Sequence, residues 1–302
     1  MLGVLFVMGL SFQVRAGFHE VTVSQEVDQN GSMMTMVRMA KEAAFVRAAH
    51  REALTILPSS LEKARSRVLL EILKPRAEEY VFSYSELKRR LDSQALELRM
   101  SVGVNGQALK AFLKSWGIYY TSRQFMSCSV SVQGGAEGLR QRVDRLMLIT
   151  GVKSSFFSVE RSLKVVQTST EPESWELRLT GPETTLTKRG QKLESVWHDL
   201  WSEYFSRPDV QGRFGQTFLI SISGWTTSTE LESFQTRLAN WSRELDTAEL
   251  QRVDIKPEGL DGTWLVRTMD RKALESRLQQ ETGHYGLEVR MVPAEEGFGA
   301  SE

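Results

Sequence analysis

The clearest pattern in the chain is an unbroken alternation. Leu96, Leu98, Met100, Val102 and Val104 are apolar, and the residues between them are polar or small. A period of two places these five side chains on one face of a half-buried strand. Val21 and Val23 give a weaker alternation and predict a strand over residues 19–27, followed by a turn at Asn30-Gly31-Ser32. Residues 36–57 are Ala-rich and predict a long helix, which Pro58 and Ser59 end. Leu61, Ala64, Val68, Leu69, Ile72 and Leu73 then form one apolar stripe with charges between them, a second helix that stops or kinks at Pro75. Residues 80–84, rich in aromatic and β-branched types, predict another strand, and Lys88-Arg89-Arg90-Leu91-Asp92 reads as a charged connection. Leu109, Phe112 and Leu113 mark one face of a short helix over residues 108–116, with Gly117 as its C-cap. These elements define an N-terminal α/β domain over residues 17–121.

The remainder reads as a divergent repeat. In the later copy Phe218, Ile220 and Ile222 alternate on a strand, and Thr227-Ser228-Thr229-Glu230 is a capping-box signature. Leu231, Phe234, Leu238, Trp241 and Leu245 follow at helical spacing. Val253 and Ile255 mark a second strand, and Pro257, Gly259 and Asp261-Gly262 a turn. Trp264 and Val266 mark a third strand, Asp270 caps a helix carrying Leu274 and Leu278, and Leu287, Val289 and Met291 form the last strand. The order β-α-β-β-α-β is the split βαβ, ferredoxin-like arrangement. The earlier copy follows the same order: strand residues Met126, Cys128, Val130 and Val132; helix residues Leu139, Val143 and Leu146; strand residues Val159, Leu163 and Val165; then Trp175 on a third strand. A helix over residues 186–205 closes it, and residues 208–215 read as a linker. The fold class expected is therefore α+β: an N-terminal α/β module, a first ferredoxin-like repeat over residues 122–210, a second over residues 211–293, and a disordered tail over residues 294–302.

At the N-terminus residues 2–12 form an apolar run of signal-peptide length, and Val14 and Ala16 supply acceptable −3 and −1 residues for cleavage. Residues 1–16 thus read as a signal peptide, and the mature chain as a periplasmic protein with no later membrane span. The run lacks a preceding Lys or Arg, and the alternative is a buried N-terminal strand.

Composition narrows the class of job. The 302 residues carry 38 Lys plus Arg against 38 Asp plus Glu, a net charge of zero, which gives no support to a nucleic-acid partner. The single cysteine, Cys128, rules out an intramolecular disulfide and alternates in phase with Met126 and Val130, as a small buried hydrophobe does.

The first module resembles a family of exported bacterial proteins of unknown function, the DUF2066 type, and also the N-terminal domain of flagellar assembly protein T. The resemblance covers about residues 30–120 and rests on the order of an Ala-rich helix, a strand containing Tyr80, Val81 and Tyr84, an alternating strand, and a helix with Leu109, Leu113 and Gly117. It implies an envelope protein that places small α/β modules after this domain, and it carries no catalytic residue to any position here.

Tests for chemistry end in packing or surface charge. His19, His50, His198 and His284 are scattered, and His198-Asp199 are adjacent on a helix and face different ways, so no metal site is expected. Ser221-Ile222-Ser223-Gly224 lacks the first glycine of a nucleophile elbow. Gln133-Gly134-Gly135-Ala136 reads as a turn, and Met33, Met34, Met36 and Met39 as helix-start packing rather than a copper site. Seven tryptophans leave room for a contact surface. Trp225, placed after Gly224 at a strand end, and Trp116 with Tyr119 and Tyr120 are the candidates. The expectation is a non-enzymatic periplasmic protein without cofactor, acting as a scaffold or assembly factor through contacts with envelope proteins, the flagellar and secretion apparatuses included. The alternative is a glycan- or peptide-binding module.

Overall fold

The computed structural model describes residues 16–26, 32–92, 94–134, 137–155, 160–182, 184–257, 259–283 and 285–294. The signal reading of the N-terminus falls outside them up to residue 15, as do Val159, the Asn30-Gly31 turn and residues 295–302 of the expected tail. The chain is a mixed α+β protein with three sheets. It divides into two compact units, residues 1–52 with 77–109, and residues 53–76 with 110–302.

The first unit is a three-stranded antiparallel sheet in the order β1-β3-β2, formed by β1 (Ala16–Glu26), β2 (Val81–Leu91) and β3 (Ala95–Asn105). The alternation that predicts β3 holds: Leu96, Leu98, Met100, Val102 and Val104 are all fully buried, with Val21 and Val23 beside them on β1. Helix α1 (Met33–Ile56) covers this apolar face, where Ala40, Ala44, Phe45, Ala48 and Ala49 are buried. Arg47 and Arg51 donate to the backbone carbonyls of Thr22 and Glu20, and His19 lies 2.7 Å from Glu52. One element departs from expectation. Lys88, Arg89, Arg90 and Leu91 are strand, not connection, because β2 is an edge strand whose charges point into solvent along its whole second half. The turn itself is built by Asp92, whose carboxylate accepts from the backbone amides of Gln94 and Ala95.

The second unit contains α2 (Lys63–Leu73), the last turns of α3 (Gly106–Ser115) and two α/β modules. The first module comprises β4 (Met126–Gln133), α4 (Leu139–Thr150), β5 (Val152–Ser154), β6 (Ser162–Thr170), β7 (Glu173–Thr180), β8 (Thr185–Gly190) and α5 (Leu193–Ser206). Its sheet order is β5-β4-β6-β7-β8. This is not the split arrangement expected for residues 122–210. There a third strand must lie between the first two, whereas β4 and β6 are direct parallel neighbours, with Val130 opposite Leu163. The expected helix over residues 186–205 also starts later. Thr185 and Thr187 flank the inward Leu186 on β8, and the helix begins only after Gly190. A short α6 (Pro208–Phe214), with Pro208 in its first turn, occupies the expected linker.

The second module comprises β9 (Gln216–Trp225), α7 (Ser228–Ala239), β10 (Thr247–Lys256), β11 (Gly259–Thr268), α8 (Arg271–Gly283) and β12 (Glu288–Pro293), with the sheet order β10-β11-β9-β12 and every pair antiparallel. The capping box of α7 forms as predicted. Thr227 accepts from the Glu230 amide, and the Glu230 carboxylate accepts from the Thr227 amide. Phe218, Ile220, Ile222, Leu231, Phe234, Leu238, Trp264, Val266, Leu274 and Leu278 form the core. Asp261 and Gly262, expected in a turn, lie inside β11.

A buried polar network ties the first module to α2. Arg65, 1% exposed, donates through Nε and Nη2 to the Ile149 carbonyl at 3.1 and 2.9 Å and through Nη1 to the Thr121 carbonyl at 2.7 Å. Its Nη2 also donates to Thr121 Oγ1, which lies 2.7 Å from the Thr150 carbonyl. Trp197 Nε1 donates to Thr150 Oγ1 at 2.8 Å. Arg65 thus caps the C-terminal carbonyls of α4, where the helix dipole favours a cation. Gly151 follows with φ 75°, and a Cβ there would fall 2.3 Å from Thr121 Oγ1, so only glycine fits beside the network.

Candidate functional site

The four residues expected to form a contact surface are buried. Trp225 is 2% exposed and packs against Phe234, with ring centroids 5.1 Å apart. Trp116 lies between Phe112 and His198. Tyr120 stacks on Phe205 at 5.5 Å, and Tyr119 meets it edge-on. All seven tryptophans are core residues. The physical reason is local: the segment after α3 turns inward at Gly117, φ 72°, and carries its aromatic run into the interior. Beside Trp225 a shallow groove of about 380 Å³ remains, lined by Thr226, Thr229, Ser233, Arg237, Tyr285 and Leu287 among others. Arg237 spans it, with its guanidinium over the Tyr285 ring at 5.4 Å and 3.0 Å from Glu281.

Cys128 is fully buried, and burial pushes its thiol up to about 11. In the folded protein it is therefore expected to stay unlabelled by a thiol reagent at pH 8, and to react at the free-cysteine rate only in denaturant. Rapid native labelling would contradict its place on the inner face of β4. Among the described residues no group of three or more His, Cys, Asp or Glu is placed to hold a metal ion. Of the methionines at the start of α1 only Met36 is packed; Met33, Met34 and Met39 are exposed.

One titratable cluster was not legible in the sequence. Lys110 donates through Nζ to the carbonyls of Leu245 and Asp246 at 2.6 and 3.2 Å, and desolvation, reinforced by Lys114, lowers it to about 7. The Asp246 carboxylate, with 1% of its side chain exposed, pairs with Lys114 and lies 3.8 Å from Arg267 Nε. Burial raises Tyr119 and Tyr120 well above the usual phenol range. Lys110 and Lys114 each lie within 6 Å of the Tyr119 ring centroid, at 5.0 and 5.6 Å. The arrangement joins α3 to the segment before β10, with the Asp246 carboxylate and the Tyr119 ring buried and Lys114 reaching toward solvent.

The surface that is open lies on the first unit. The sheet face away from α1 carries Phe18, Glu20, Thr22 and Ser24 from β1, Glu97, Arg99 and Ser101 from β3, and Ser85, Lys88 and Arg90 from β2. At one end Phe18, 62% exposed, and Phe82, 48% exposed, meet edge-on at 5.7 Å. They cross over Gly103, where a Cβ would fall 2.5 Å from the Phe82 ring. At the other end Glu20 pairs with Arg99, and Thr22, Lys88, Arg90 and Glu97 complete a shallow charged depression of about 320 Å³. An aromatic pair beside mixed charges has the makeup of a protein-contact patch, with apolar anchors and a polar surround. The sequence carries a weak sign of it. Phe18 is out of phase with Val21 and Val23; the register shift that turns Phe82 outward belongs to the pairing of β2 with β3.

The chain matches no family model, and no curated protein or solved structure is detectably similar to it. No helix among the described residues is long and apolar enough to cross a membrane.

Proposed function

We propose that this is a non-enzymatic contact protein of the bacterial envelope, a scaffold or assembly factor that reaches the periplasm by its N-terminal signal and binds a protein partner through the open sheet face of the first unit. The observation that carries the reading is the exposed Phe18–Phe82 pair. Two large rings meeting edge-on across a glycine on a solvent-facing sheet are costly to leave uncovered and form ready anchors for a partner. The exposed Met33, Met34 and Met39 on α1 add adaptable apolar surface to the same unit. The resemblance of residues 30–120 to DUF2066-type exported proteins, and to the N-terminal domain of flagellar assembly protein T, agrees with this reading. Residues 216–293 would then be a ferredoxin-like module: their strand order and all-antiparallel pairing fit the split βαβ plan.

The test is the pair Phe18→Glu and Phe82→Glu made together. Both residues face solvent, so the free energy of unfolding should stay within about 0.5 kcal/mol of the parent. Recovery of the partner from envelope extracts should be lost. Unchanged recovery would remove this face from the account. The glycan- or peptide-binding alternative has one observation behind it, the groove beside Trp225 with Arg237 and Tyr285. A tryptophan fluorescence change on adding peptidoglycan fragments, with partner recovery unaffected by the double substitution, would favour it instead.

A further inference from the structure

We propose that two copies of this chain join edge to edge through β10 in one register, continuing the four-stranded sheet of the second module into an eight-stranded one. The inference is independent of the contact face on the first unit: dimerisation can fail while partner capture persists, and the reverse.

β10 ends the sheet order β10-β11-β9-β12, so one side of its ten-residue backbone has no strand beside it. Natural sheets blunt such edges with charges, bulges, proline or brevity, and β10 has a bulge at Gln251 and four charged side chains, but its charges alternate in sign and its ten residues are long for an edge. Between those charges β10 presents Leu250, Val253 and Ile255, at 39, 42 and 85% exposure. Its pairing with β11 fixes which side each residue faces. Leu250 lies opposite the buried Trp264, Val253 opposite Gly262 and Ile255 opposite Leu260, so these three share the helix side. Glu249, Arg252, Asp254 and Lys256 lie on the other side, and Gln251 is the extra residue at the register shift.

A two-fold axis perpendicular to the sheet keeps every side chain on its own side. Only registers that set helix-side residues against helix-side residues are therefore allowed. With Val253 on the axis, Val253 faces the partner's Val253 and Leu250 faces the partner's Ile255. On the other side Arg252 faces the partner's Asp254, and Glu249 faces the partner's Lys256. Apolar meets apolar and opposite charges meet throughout, each pair occurring twice except the one on the axis. Moving the axis to Arg252 sets Arg252 against the partner's Arg252 and Glu249 against the partner's Asp254. Moving it to Asp254 sets Asp254 against the partner's Asp254 and Arg252 against the partner's Lys256. Like charges directly opposite are destabilising, so the neighbouring registers are disfavoured by the same residues that favour the first. Within one chain Arg252 already holds Asp254 at 2.8 Å, so pairing extends an existing ion pair into a four-charge array.

Sedimentation equilibrium and cysteine pairing of the full chain test this. The parent protein is expected to dimerise. The only natural cysteine is buried, so an introduced one reports the edge alone. Directly opposed residues bring their Cβ atoms to about 4.5–5.5 Å, close enough for a disulfide after small adjustment. Val253→Cys should therefore form a disulfide-linked dimer on mild oxidation. Ile255→Cys alone should not, but should cross-link when mixed with Leu250→Cys. Glu249→Lys should weaken the dimer roughly tenfold, and adding Lys256→Glu, which gives up the ion pair to Asp261 within the chain, should restore part of it, because the pair across the edge occurs twice. All of these positions are on an exposed edge, and an unchanged unfolding midpoint confirms that each variant folds. A monomeric parent at every concentration, a Val253→Cys chain that stays monomeric under oxidation, or a double charge reversal no tighter than Glu249→Lys alone would each overturn the proposal.

Discussion

Arg65→Met is expected to lower the stability of the second unit by about 2–4 kcal/mol, a large share of what a domain has. The guanidinium donates to the carbonyls of Thr121 and Ile149, and both residues are buried. Each carbonyl left without a donor costs about 1–3 kcal/mol, and relief from burying an uncompensated cation offsets part of the sum. Burial lowers Arg65 to about 10, with Glu62 opposing, so the cost of hosting the charge offsets part of what its bonds contribute. Arg65→Lys should recover little, since an ammonium cannot span both carbonyls and the Thr121 hydroxyl as the planar fork does. The readout is the urea midpoint at constant slope. A methionine variant as stable as the parent would show that the network is incidental. Trp197→Phe, which removes the bond to the Thr150 hydroxyl and leaves space where the buried indole stood, should cost about 2–3 kcal/mol and be non-additive with Arg65→Met, because both act on the same buried network.

Asp246→Ala should cost about 3–5 kcal/mol, because it leaves Lys110, Lys114 and Arg267 gathered around a buried site without their carboxylate. A pH signature accompanies it. In the folded protein Lys110 sits near 7, below its ordinary 10.5, so between those values the unfolded chain binds more protons than the folded one. Stability of the parent should therefore rise with pH from 7 to 9, by at most about 1.4 kcal/mol per pH unit for one proton. Above 9 the raised Cys128 thiol works the other way, since there the unfolded chain loses a proton that the folded one keeps. Asp246 raises Lys110, so its removal should shift the rising window to lower pH. A flat stability profile from pH 7 to 9 in the parent would contradict the burial of Lys110.

Local periodicity carried most of the architecture. The alternation from Leu96 to Val104, the stripe on α2 and the capping box before α7 each correspond to one element, because burial on one face leaves a fixed spacing in the sequence. What spacing does not carry is which strand lies beside which. The first module shares its opening strand-helix-strand order with the second, yet β5 and β6 both pair directly with β4, while β10 stands two places from β9. Long-range pairing decides that, and Thr185 to Gly190 looked like the start of a helix because Leu186 continues a helical spacing into Leu193. The site was less legible still. Aromatic residues near a glycine or a strand end were expected at the surface, but Trp225, Trp116, Tyr119 and Tyr120 fill the interior. The exposed rings, Phe18 and Phe82, sit in short segments where one apolar residue out of phase is a weak signal. Arg65 and Lys110 lay among ordinary helix charges, and only their tertiary neighbours mark them as buried.

The most direct measurement is in-cell photocross-linking from residue 82. A benzoylphenylalanine placed there replaces one exposed ring with another and reports whatever covers the open face of the first sheet. The account predicts a cross-link to one defined envelope protein, lost when Phe18 is changed to Glu and absent when the probe stands at Glu232, on the exposed side of α7. No cross-link from residue 82, or the same products from residue 82 and residue 232, would contradict it.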